Sequence, residues 1–174
     1  MKIGQFQVYT GNGKGKTTAA LGLALRASGA GMRVYFCQFI KDQPYSEIKA
    51  LGMLPNVTVR QSGTGKGILT YREKEDADVA CARAGYEALA DALTSGDYDV
   101  VIADEINCAL MCGLLSEADL LRLAELRPEG TELVFTGRGA TDAILRRADL
   151  ATEMHLIKHY YQEKKLPARK GIEM

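Results

Sequence analysis

The chain has 174 residues, 47% apolar and 25% charged, and its 22 basic and 22 acidic side chains cancel to a formal charge of zero. That length suits a single domain spanning 1–174, with a core that needs no staple. The charge balance gives no basic field for nucleic acid or an anionic membrane surface, and no apolar run reaches the roughly 18 residues of a membrane span.

In chain order, the first strand is predicted over 3–9 and runs into a glycine-rich loop over 11–16. An Ala- and Leu-rich helix over 17–30 follows, closed by Gly29 and Gly31. β-Branched and aromatic residues mark a second strand over 33–40 (RVYFCQFI), then a short helix over 46–54 and a third strand over 56–61. A second glycine-rich loop spans 62–70, with Gly63, Gly65 and Gly67. A long helix over 72–95 carries Ala77, Cys81, Ala84, Ala88 and Ala92 at steps of three and four, which predicts its packed face.

A fourth strand over 98–103 (YDVVIA) ends at Asp104 and Glu105. Ser116 with Asp119 reads as a helix start, with Leu115 and Leu120 placed to staple it, and 127–130 (RPEG) breaks that helix. A fifth strand over 132–136, a helix over 140–148 and a sixth strand over 152–157 complete the pattern. The basic segment after Lys158 reads as a solvated end, or as one that meets the ligand. Strands alternating with helices predict an α/β fold: a mostly parallel sheet of about six strands with helices on both faces. Ligands of such sheets lie beyond the carboxyl ends of the strands. The loop at 11–16, the acidic pair and the turn 136–139 (TGRG) all fall there.

Cys37, Cys81, Cys108 and Cys112 read as buried free thiols of a reducing cytoplasm, since no signal-peptide pattern precedes the first strand. His155 and His159 fall on the sixth strand and its exit, without the third ligand that zinc requires.

Residues 10–18 (TGNGKGKTT) place three glycines and two lysines in a strand-to-helix turn. Glycines let the backbone wrap an anion, and the helix that follows aims its positive end at the same point. Lys16 is placed to reach a phosphate oxygen and Thr17 to offer its hydroxyl to Mg²⁺. The usual P-loop has glycine where this chain has Thr10, so the turn differs from that of ordinary P-loop hydrolases. Asp104 and Glu105 follow an apolar strand, and one carboxylate there suits Mg²⁺, directly or through water. Arg138, between two glycines, offers a fork-shaped guanidinium to phosphate. A P-loop ATPase or kinase, or an ATP-binding regulator, is the alternative that these residues leave open.

Together 10–18 (TGNGKGKTT), 38–41 (QFIK), 101–106 (VIADEI), 136–139 (TGRG), 157–159 (IKH) and 170–173 (KGIE) resemble the P-loop corrinoid adenosyltransferases of cobalamin synthesis and salvage, in order over nearly the whole chain. The resemblance implies a RecA-like P-loop NTPase fold, a homodimer, ATP with Mg²⁺, and a reduced flavoprotein or similar electron donor. It implies attack of Co(I) of a reduced corrinoid on the 5′ carbon of ATP, with triphosphate leaving whole and held in reverse orientation. On that reading Gly11, Asn12, Gly13, Lys14, Gly15, Lys16, Thr17, Thr18, Arg26 and Arg138 hold the nucleotide, and Glu105 holds the metal with Thr17. The family's N-terminal arm has no counterpart ahead of the first strand here. Where better-known members carry aromatic residues against the lower face of the corrinoid, this chain offers Ile68, Leu69 and Tyr71.

Overall fold

Six parallel strands form one sheet across the residues that the computed structural model describes, 3–66 and 72–173. They are β1 (Phe6–Thr10), β2 (Val34–Phe39), β3 (Val57–Ser62), β4 (Val100–Asp104), β5 (Glu132–Thr136) and β6 (Leu150–Glu153), in the spatial order β3-β2-β4-β5-β1-β6. The helices are α1 (Lys16–Gly29), α2 (Ser46–Leu51), α3 (Asp76–Thr94), α4 (Ile106–Met111), α5 (Glu117–Leu126), α6 (Asp142–Arg147) and α7 (Tyr160–Lys164). The predicted α/β class holds, and the sheet is wholly rather than mostly parallel.

Successive side chains of a strand point to opposite faces, and β2 uses both. Val34 and Phe36 pack with Ala20, Ala24 and Ala27 of α1 and Leu51 of α2. Tyr35, Cys37 and Phe39 pack with Leu89 and Leu93 of α3 and Leu120 and Leu123 of α5. Every residue of β2 is therefore buried, as a central strand covered on both faces requires. On the α3 side, Phe6 of β1 meets Phe135 of β5 edge to face, with centroids 4.8 Å apart.

Ser116 caps α5 as its sequence predicts, accepting from the Asp119 N–H at 3.2 Å, and Leu115 and Leu120 are both buried beside it. Other boundaries moved. Helix α3 begins at Asp76 rather than 72, because Asp78 accepts from the Glu75 N–H at 2.9 Å and caps the helix there. Its buried face is Asp78, Ala82, Gly85, Leu89, Ala92 and Leu93, one residue on from most of the alanine stripe that the sequence suggested. Alanines recur on both faces, so the larger area buried by Leu89 and Leu93 sets the rotation. Gly85 permits the approach: a Cβ there would stand 2.6 Å from Ser62.

Strand β6 runs over Leu150–Glu153, earlier than the predicted 152–157, because its register with β1 pairs Gln7 with Leu150 and Thr10 with Glu153. His155 and His159 therefore both lie beyond the strand, and His159 caps α7 by accepting from the Tyr161 N–H at 3.1 Å. Of the four thiols only Cys37 is fully buried; Cys81, Cys108 and Cys112 are half-buried. No helix among the described residues is long and apolar enough to cross a membrane.

Candidate active site

Strands β4, β5 and β1 are neighbours in the sheet, so the turns at their carboxyl ends meet. Those turns carry Glu105, Arg138 and the glycine loop, and all three line one cavity of about 930 Å³.

The glycine loop owes its course to the chain that leaves β6. The Gly13 N–H donates to the Met154 carbonyl at 2.6 Å, and the Met154 N–H donates to the Thr10 carbonyl at 2.8 Å. A Cβ at Gly11 or Gly13 would stand 2.6 Å from the Met154 carbonyl oxygen. Gly11 and Gly15 also adopt φ of 92° and 124°, in the left-handed region that favours glycine. Gly13→Ala is therefore expected to cost about 1–3 kcal/mol, the usual penalty of overpacking. A lowered melting temperature with weakened ATP binding checks this; an unchanged melt would show that the loop shifts freely.

Helix α1 opens on Gly15 with no side-chain cap and no acidic residue in its first turn. The N–H groups of that turn have no intrahelical partner, and the helix dipole adds partial positive charge where Asn12, Thr17 and Thr18 also face the cavity. The Lys16 ammonium folds back under the loop and donates to the Gly11 and Gly13 carbonyls, each at 2.7 Å. Burial lowers its pKa, and the charge of Glu105 opposes that shift. This is a desolvated cation inside a ring of backbone groups, suited to a highly charged anion.

Asp104 and Glu105 divide their work. Asp104 is fully buried and accepts from Gln38 Nε2 at 3.0 Å and from the Thr136 hydroxyl at 2.7 Å. Thr136 Oγ1 in turn accepts from the Glu105 N–H at 2.9 Å. Glu105 takes φ of 62°, a costly conformation for a residue with a side chain, and lines the cavity. Ile40, at the end of the adjacent β2, shows the same strain with φ of 68° and is followed by Lys41, another cavity residue. Burial works to lower the Lys41 pKa, but the carboxylates Asp104, Glu105 and Glu47 outweigh it and the net shift is upward.

Arg138 is exposed at the cavity rim, in a turn with Gly137 at φ 123° and Gly139 at φ 78°. Its N–H donates to Cys108 Sγ at 3.2 Å. Burial first, and then the Glu105 charge, push the Cys108 thiol well above its ordinary range, so it stays protonated.

The family model described as ATP:corrinoid adenosyltransferase BtuR/CobO/CobP matches residues 2–174. The chain belongs to this adenosyltransferase family. The chain is similar to the corrinoid adenosyltransferase of Pseudomonas aeruginosa, 35% identical over 170 residues that span 98% of this chain and 83% of the relative. It is similar to corrinoid adenosyltransferase CobA of Salmonella typhimurium, 34% identical over 171 residues, 95% of this chain and 83% of the relative. With the corrinoid adenosyltransferase of Escherichia coli strain K12 the identity is 32% over 155 residues, 88% of this chain and 78% of the relative. The ATP:corrinoid adenosyltransferases transfer the adenosyl group of ATP to a reduced corrinoid in cobalamin synthesis or salvage, and this chain is a transferase of that kind.

Of the residues singled out from the sequence, the cavity gathers Asn12, Gly13, Lys14, Gly15, Lys16, Thr17, Thr18, Glu105 and Arg138. Gly11 supports the loop through its carbonyl. Arg26 is exposed in the last turn of α1 and is not part of the cavity lining. Ile68, Leu69 and Tyr71 lie outside the described residues. Sequence reasoning gave no role to Lys41, Tyr45, His159, Ile172 or Glu173, which also line the cavity. The motifs 38–41 (QFIK) and 170–173 (KGIE) were the signals that could have found Lys41 and Glu173.

Proposed function

We propose that the triphosphate of ATP lies on the glycine loop and the first turn of α1, with the 5′ carbon turned toward Co(I) of the corrinoid. The observation that carries this reading is the convergence of an uncapped helix start, a desolvated lysine, a strained carboxylate and an exposed arginine on one cavity. The nucleophile belongs to the substrate: the cobalt electron pair forms the Co–C5′ bond as the C5′–O bond to triphosphate breaks. The chain then needs no base. Its task is to orient the 5′ carbon and to stabilise charge on the leaving group.

Lys16, Thr17, Thr18, Arg138 and the loop N–H groups do the second. The hydroxyl of Thr17 and the carboxylate of Glu105 line one cavity, and these hard oxygen donors fit Mg²⁺. No cluster of three acidic, histidine or cysteine side chains occurs among the described residues. When bound, Mg²⁺ offsets triphosphate charge. The reversed triphosphate and the role of Arg26 rest on the family resemblance alone. So do the homodimer and a reduced flavoprotein donor; the cytoplasmic setting rests instead on four cysteines that read as free thiols.

The same resemblance gives Ile68, Leu69 and Tyr71 to the lower face of the corrinoid. The flanks of that segment are fixed: Thr64 donates to Asp78 at 2.7 Å, and Arg72 binds both oxygens of Asp78 at 2.7 Å.

The test is the product balance. Adenosyl–cobalt product and inorganic triphosphate are expected in equal amounts, and only when MgATP meets chemically reduced corrinoid. Comparable phosphate release without corrinoid would favour an ATPase, and a phosphorylated acceptor would favour a kinase.

A further inference from the structure

The segment after β6 turns back across the glycine loop. Ala168, Gly171, Ile172 and Glu173 line the same cavity as Lys16 and Glu105. The fastening is at Lys14. Its ammonium donates to Glu173 Oε1 at 2.9 Å, to the Tyr160 hydroxyl at 3.2 Å and to the Ile172 carbonyl at 3.4 Å. An ammonium has three donors, so this set uses all of them.

Glu173 is held from the other side as well. The Arg169 N–H donates to Oε2 at 2.8 Å and the Arg169 guanidinium reaches Oε1 at 3.1 Å. The Tyr160 hydroxyl donates to Oε1, and the Arg169 guanidinium lies 5.2 Å from the centre of the Tyr160 ring. Arg169 first, then Tyr160 and Lys14, hold the Glu173 carboxyl well below the usual carboxylate range. The Glu173 side chain is only 16% exposed although residues 167–172 before it are open to solvent. One glutamate thus joins the loop, helix α7 and the segment 168–173.

We propose that Lys14 and Glu173 form a latch that fastens residues 168–173 as a wall of the ATP cavity, with Glu173 a positioning residue for nucleotide binding. Lys14 then differs in task from Lys16. Lys16 lies under the loop, bonded to the carbonyls of Gly11 and Gly13. Lys14 lies at the rim, with 43% of its side chain exposed, and its charge is matched within the chain.

The inference rests on reading the cavity as the ATP site. Calorimetric titration of the full chain with MgATP, without corrinoid, tests that reading first, and absence of binding would remove it independently of the latch. Given binding, Lys14→Met and Glu173→Gln are each expected to raise the MgATP Kd about tenfold, as loss of a charge-assisted hydrogen bond does. The double variant should be no weaker than the weaker single, because each substitution opens the same latch. Arg169→Gln should shift Kd in the same direction by less. Tighter MgATP binding by Glu173→Gln would mean that the carboxylate competes with phosphate for Lys14, and would overturn the proposal. Weakening by Lys14→Met alone would mean that Lys14 grips phosphate directly, and would overturn it too. A lowered melting temperature with unchanged Kd in both variants would reduce the contact to a structural one.

Discussion

Lys16→Ala is expected to lower kcat/KM for adenosyl transfer by about 10²–10³-fold, the scale of losing one preorganised charge at a leaving group. The ammonium sits inside the loop, 2.7 Å from two backbone carbonyls, and the residue is 7% exposed. A cation so placed is already largely desolvated before charge develops on triphosphate. The fold should survive, because α1 is anchored by Ala20, Ala24 and Ala27 rather than by Lys16. Thr17→Ala, which removes a neutral hydroxyl, should cost less. Steady-state kinetics with circular dichroism decides the matter. A folded Lys16→Ala variant with full activity would show that this loop is not the active site.

The second large effect separates two adjacent carboxylates. Glu105→Gln is expected to raise the Mg²⁺ concentration needed for half-maximal activity at least about tenfold, with little change in melting temperature. Glu105 is turned into the cavity by its left-handed backbone, and the Thr136 hydroxyl accepts from its N–H. Asp104→Asn is expected to act on stability instead, by about 1–3 kcal/mol. The Asp104 carboxylate accepts from both Gln38 and Thr136 in a fully buried site, and an amide would face one of those donors with its own N–H group. Metal titrations and thermal melts of both variants test the division. A stronger metal phenotype in Asp104→Asn would move the ligand to that residue.

Much of this site was legible because its residues are close together in the chain. Residues 10–18 read as a phosphate cradle from glycine spacing and strand-to-helix context, and all but Thr10 and Gly11 of that run line the cavity. Which of Asp104 and Glu105 faces the cavity was not legible from strand and turn. It depends on a φ of 62° and on Thr136, which lies on another strand. The face of α3 was misread because alanine is compatible with either side of a helix, whereas the leucines that chose the side contribute through area. Cys108 and Cys112 read as buried thiols by composition, yet both line the cavity at half burial.

By itself the sequence determined the α/β alternation, the glycine loop at the end of β1, the acidic pair at the end of β4 and the Gly-Arg-Gly turn after β5. Each follows from local chemistry: side-chain period, glycine's freedom at positive φ, and a cap or break at a known position. Only the tertiary structure decided that Met154 shapes the loop, that Asp104 is spent within the sheet, and that Glu173 closes on Lys14. Lys14 and Glu173 are separated by 159 residues of chain. No local period or turn rule couples positions so far apart. They meet because β1 and β6 are neighbours in register, which carries the segment beyond β6 across the mouth of the loop that β1 opens.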